Sequence, residues 1–147
     1  MTHMKKNILV VDDSALMRRV MCDIINSDSK FQATDYCRDG LEAYEKLKHT
    51  SYDGVVLDVN MPRMDGLQLL EKLQKEGIRA NVVMVSTLTD SREADVTILA
   101  MERGAIDFVA KPTNIIEAKG EAFKRQLLGI LNAVLACLLY TSPSPRD

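Results

Sequence analysis

Short apolar runs alternate with helix-patterned segments five times along the chain, and this alternation restricts the fold to a parallel sheet covered by helices. The runs are Ile8-Leu9-Val10-Val11, Phe31 to Cys37, Gly54-Val55-Val56-Leu57-Asp58, Val82-Val83-Met84-Val85 and Ile106 to Val109. Between and after them, apolar residues recur at helical spacing. The expected inward faces are Met17, Val20, Met21, Ile24 and Ile25, then Leu41, Tyr44 and Leu47, then Leu67, Leu70 and Leu73, then Ala94, Ile98 and Met101, and last Phe123, Leu127, Ile130, Leu131 and Val134. Continuous Val/Ile/Leu strands are buried on both faces, and right-handed crossovers then give a three-layer α/β/α sandwich. The second strand is the weakest of the five.

Local punctuation agrees. Ser14 and Asp65 stand where helix caps belong, and Gly77 and Gly104 where helices end. Gly120 weakens the start of the last helix. Leu128 and Leu135 lie off its main face, which fits either a partner surface or a broad buried stripe.

With 147 residues the chain makes one domain, and 46% hydrophobic with 27% charged residues suits a folded core. A net charge of −2 provides no general field for nucleic acid or an anionic membrane, so neither is an expected partner. Three cysteines, Cys22, Cys37 and Cys137, form no CxxC pair, which suits a reducing compartment and makes a cytoplasmic location the expectation. No secretory or membrane-spanning pattern precedes the first strand. Residues 1–135 are read as the domain, and 136–147, which run from an apolar helix into Ser-Pro repeats, as a vector-derived tail.

In an open parallel sheet the strand C-termini share one edge, where ligands bind. There the sequence places Asp12 and Asp13, Asp58, Ser86 and Thr87, and Lys111. Singly, each has an ordinary role: Asp12-Asp13 starts a helix, Asp58 turns the chain, Ser86 caps, and Lys111-Pro112 is a loop. Together they argue for a site. Converging carboxylates repel unless a cation joins them, and a hard divalent ion such as Mg2+ takes oxygen ligands. Asp13, Asp58 and the Asn60 carbonyl are candidate ligands. A lysine charge and a serine hydroxyl beside them match a tetrahedral phosphoryl group arriving on a carboxylate. His3 and His49 join no Ser or Cys pattern of nucleophilic catalysis and are read as surface.

These residues resemble the receiver domains of two-component response regulators over roughly residues 5–135, through Asp12-Asp13, Asp58, Met61-Pro62, Asp65-Gly66, Ser86 and Lys111-Pro112. More narrowly, Leu57 to Gly66, Val83 to Ser86 and Gly104 to Val109 with Lys111-Pro112 look like the receiver of chemotaxis protein-glutamate methylesterases. The resemblance implies a flavodoxin-like, doubly wound five-stranded sheet of order 2-1-3-4-5. It implies Asp58 as phospho-acceptor, Asp12 and Asp13 holding Mg2+, Lys111 contacting the phosphoryl group, Ser86 as switch hydroxyl and Phe108 as aromatic switch. A cis bond between Lys111 and Pro112 is also common in the family. Asn60 stands where this subfamily is more usually acidic, and Leu88, two after Ser86, is apolar; both border the path of hydrolytic water.

By that resemblance the chain accepts a phosphoryl group from a chemotaxis histidine kinase and regulates a methylesterase catalytic domain, itself catalysing only its own phosphorylation and dephosphorylation. It is expected as a monomer or weak dimer. A stand-alone receiver acting on another partner is the first alternative. A haloacid-dehalogenase-like phosphohydrolase is the second, and Asn60 occupies the position where that family needs its second aspartate.

Overall fold

A computed structural model describes residues 5–86 and 93–136. His3, Thr87, Leu88, Cys137 and the Ser-Pro tail lie outside the described residues. The elements follow as β1 (Lys6–Val11), α1 (Ala15–Asn26), β2 (Phe31–Cys37), α2 (Gly40–His49), β3 (Gly54–Asp58), α3 (Gly66–Glu76), β4 (Val82–Ser86), α4 (Glu93–Glu102), β5 (Ala105–Ala110), α5 (Ile115–Ala118) and α6 (Glu121–Leu131). A π-helical turn, Asn132–Ala136, continues α6. The five strands form one parallel sheet in the order β2-β1-β3-β4-β5, as the resemblance implied.

Alternate residues of each central strand feed two cores. On one face Ile8, Val10, Val56, Val83, Val85 and Val109 meet α1 and α6. On the other Leu9, Val11, Val55, Leu57 and Met84 meet α2 and α3. Strand β2 is at one edge of the sheet, and its burial alternates along its length, which explains its weak signal in the sequence. Its register with β1 skips Thr34.

Caps fall where the sequence put them. Ser14 Oγ accepts from Met17 N, and Asp65 and Gln68 form a reciprocal capping box at α3. Gly77 ends α3 in the left-handed conformation.

Some expected faces are corrected. Leu41 is exposed, and Ala43 is buried beside Tyr44 and Leu47. In α3, Leu69 joins Leu70 and Leu73 inside, while Leu67 is half-buried. In α4, Ile98 and Met101 stand exposed and Ala100 is buried; the Ala94 side chain is outside the described set. By helical spacing Asp95 and Glu102 fall opposite Thr97, which leaves no continuous apolar stripe, so periodicity could not choose its inner face. Gly120 does more than weaken the last helix: it separates α5 from α6 and sits at the N-cap of α6. Leu135 is buried and Leu128 packs on the same core, so the off-face leucines belong to a broad buried stripe. Among the described residues, no helix is long and apolar enough to cross a membrane.

Candidate functional site

The site is built at the C-terminal ends of β1, β3, β4 and β5. Asp12 follows β1 directly and is held on every side. Its N–H donates to the Cys37 carbonyl at 3.1 Å, its carbonyl accepts from Arg18 Nη1 at 2.9 Å, and its Oδ1 accepts from Ser14 N at 2.8 Å. The helix start that sequence reading assigned to Asp12-Asp13 therefore also aims a carboxylate.

Asp58 is the last residue of β3. The chain beyond it turns back at once, with Gly66 N donating to the Val59 carbonyl at 2.8 Å. A side chain at Gly66 would strike the Asp58 carbonyl, so α3 starts this close to the strand end only because residue 66 is glycine. Ser86 ends β4, and its carbonyl accepts from Lys111 N at 2.8 Å. This bond ties the two strand ends that carry the lysine and the hydroxyl.

One carboxylate oxygen each from Asp12, Asp13 and Asp58 lies within 4.8 Å of the others. Asp12 and Asp58 are buried, whereas Asp13 is exposed and marks the side facing water. Lys111 Nζ bridges the buried pair, 2.8 Å from Asp12 Oδ2 and 3.2 Å from Asp58 Oδ2. Burial first, and the Asp12 charge second, push the Asp58 carboxyl up to about 6, although Lys111 pulls it down. Burial works against the Lys111 charge, but hydrogen bonding to Asp12 and the Asp58 charge raise its pKa overall.

Three carboxylates against one ammonium leave two negative charges unbalanced in a mostly buried site. An all-oxygen donor set with that deficit fits a hard divalent cation such as Mg2+, with Asp12, Asp13 and Asp58 as the residues to hold it. Asn60 is exposed two residues beyond Asp58.

Ser86 Oγ is buried and has no hydrogen-bond partner among the described residues. A lone buried hydroxyl costs free energy unless a ligand completes it. Phe108 pairs with Met84 across β4 and β5 and packs half-buried on the second core. The expected cis bond at Lys111-Pro112 is absent: the described peptide bonds are all trans. With a trans bond there, the Lys111 ammonium still reaches both Asp12 and Asp58.

Sequence reading missed two contacts at this edge of the sheet. Arg18 reaches back from α1 to the Asp12 carbonyl, a contact between turns that no local pattern announces. Asp39 caps α2 through Glu42 N and also receives two donors from Arg63. The cap itself was legible, since Asp39 directly precedes a helical run.

The chain is similar to known proteins of one family. Residues 8–120 match the family of response regulator receiver domains. The protein-glutamate methylesterase/protein-glutamine glutaminase of Pyrococcus horikoshii is 45% identical over 124 residues, covering 84% of this chain and 33% of that protein. Its counterpart in Escherichia coli K12 is 50% identical over 109 residues, covering 74% and 30%. The chain thus spans about a third of the length of these relatives.

Among solved structures, the response regulator domain of Thermotoga maritima CheB has a TM-score of 0.80 at 35% identity, covering 90% of this chain and 98% of that one. A complex of CheX and CheY with BeF3 and Mg2+ from Borrelia burgdorferi has a TM-score of 0.69 at 28% identity, covering 87% and 88%. With the sheet order, the acidic cluster and these likenesses in agreement, the chain belongs to the response regulator receiver domain family and is similar to the receiver of the chemotaxis methylesterases.

Proposed function

We propose that this domain is a phosphorylation-controlled switch that takes a phosphoryl group onto Asp58 from a histidine kinase. The observation that carries the reading is the Asp58 carboxylate, buried at a strand end between the Lys111 ammonium and two further carboxylates. An Asp58 oxygen attacks phosphorus, the bond from phosphorus to the donor imidazole breaks, and the imidazole nitrogen takes a proton from water. The Lys111 ammonium offsets charge on the transferring oxygens. Bound Mg2+ would supply charge neutralisation and in-line orientation, with Asp12, Asp13, Asp58 and the Asn60 carbonyl as its ligands. The presence of Mg2+ in the Borrelia complex of CheX and CheY with BeF3 supports the choice of cation.

Ser86, whose hydroxyl has no partner among the described residues, is the group to meet the new phosphoryl oxygens. Its movement frees space for Phe108 to turn inward, changing the surface around α4, β5 and α6. The exposed Ile98 and Met101 on α4 belong to that surface. The likeness to methylesterases supports a methylesterase domain as the regulated partner; cysteines without a CxxC pair suit the cytoplasm as the compartment.

The test is transfer from an autophosphorylated chemotaxis histidine kinase carrying labelled phosphate. Label moving to the wild-type chain but not to Asp58→Ala is expected. Equal labelling of both proteins contradicts the assignment.

A further inference from the structure

Among the described residues, Arg63 is the non-glycine with left-handed backbone, at φ 65°. A residue with a side chain adopts this conformation at a cost, so something must hold it there. Its guanidinium meets a single buried carboxylate oxygen: Nε and Nη2 lie 2.8 and 2.7 Å from Asp39 Oδ2. The same Asp39 caps α2 through its other oxygen, which accepts from Glu42 N at 2.9 Å. One carboxylate therefore joins the start of α2 to the loop between β3 and α3.

A second clasp runs beside the first. Gly40 N donates to the Met64 carbonyl at 2.9 Å, and a side chain at Gly40 would strike that carbonyl. On the far side the loop is closed by Gly66 N on the Val59 carbonyl. The loop so pinned begins right after Asp58 and contains Asn60. We infer that the Arg63–Asp39 pair is a positioning device, which fixes the loop so that the Asn60 carbonyl is presented to the divalent cation beside Asp58. The inference rests on the metal assignment made above and adds to it a pair of residues that touch neither metal nor phosphoryl group.

Three variants of the full chain separate this from simple support of the fold. Asn caps helices as well as Asp, so Asp39→Asn keeps the α2 cap while removing the charge that holds Arg63. Arg63→Gly removes the ion pair and accepts a positive φ without strain, so it folds. Arg63→Lys keeps the charge. Mg2+ affinity is read by titration calorimetry, and amide hydrogen exchange over residues 59–65 is read in metal-free protein.

Orienting groups behind metal ligands typically change affinity by about tenfold, and a loss of about that size is expected for Asp39→Asn and Arg63→Gly. Exchange in the loop should quicken in both, Arg63→Lys should recover most of the affinity, and saturating Mg2+ should restore phosphorylation by a small-molecule phosphodonor. Folded variants with wild-type affinity and unchanged loop exchange would overturn the positioning role alone. A wild-type chain that binds no Mg2+ would overturn the metal assignment and the positioning role together.

Discussion

The Lys111 ammonium lies 3.2 Å from Asp58 Oδ2, yet the Asp58 carboxyl is pushed up to about 6 because burial and Asp12 outweigh that attraction. The metal-free site is therefore electrostatically strained, and its strain sets most of what can be measured.

Replacing Asp58 with Asn should stabilise the metal-free protein at pH 7 by about 1–3 kcal/mol, since each unit of pKa shift corresponds to about 1.4 kcal/mol. The unfolded carboxyl titrates near 3.9. A folded pKa raised above that value favours folding fully below about pH 4, and the benefit is lost as pH rises through about 6. The advantage of Asp58→Asn should thus shrink towards zero on acidification to pH 4. Urea denaturation at both pH values checks it; a less stable variant at pH 7 would contradict the charge balance.

Removing the lysine acts in the opposite direction. Lys111→Met leaves Asp12 and Asp58 facing each other without their shared partner, and loss of one member of a buried pair costs about 3–5 kcal/mol at most. Because the unbalanced negative charge rises, Mg2+ should stabilise this variant more than it does the wild type. Thermal melts with and without Mg2+ give the comparison, and an equal Mg2+ shift in both proteins would count against it.

Gly66→Ala drives a methyl group into the Asp58 carbonyl. A forced displacement of this kind costs about 1–3 kcal/mol. The displaced backbone is that of Asp58, the proposed acceptor, so phosphorylation by a small-molecule donor should slow even where the variant is fully folded. A folded variant phosphorylated at the wild-type rate would show that the close approach has no bearing on the acceptor.

Cys37 is buried, and burial pushes its thiol up to about 12, while Cys22 is half-buried and is also raised by burial. The thiolate is the reactive form. At pH 8 an alkylating reagent should leave Cys37 unmodified in native protein and label it in denaturant, as peptide mass mapping would show. Fast native labelling of Cys37 would mean that β2 opens readily.

The sheet was legible because its central strands are buried on both faces and read as unbroken apolar runs, and the edge strand β2 was faint because only alternate residues are covered. The inner face of α4 was not legible, since residues such as Ile98 and Ala100 are both apolar and only packing decides between them. At the site, Asp12, Asp13, Asp58, Ser86 and Lys111 could be picked out because parallel topology brings strand ends together. Arg18, Asp39 and Arg63 could not be assigned as supports, because their partners lie in other loops or on backbone atoms. The left-handed backbone of Arg63 has no signature in its residue type.

The most direct test of the central claim is the intact mass of the chain after incubation with a small-molecule phosphodonor, with and without Mg2+, followed by mapping of the adduct. A single Mg2+-dependent phosphoryl adduct on Asp58, lost in Asp58→Ala, is the predicted result. A folded chain that takes no adduct, or takes it at another residue, would contradict the account.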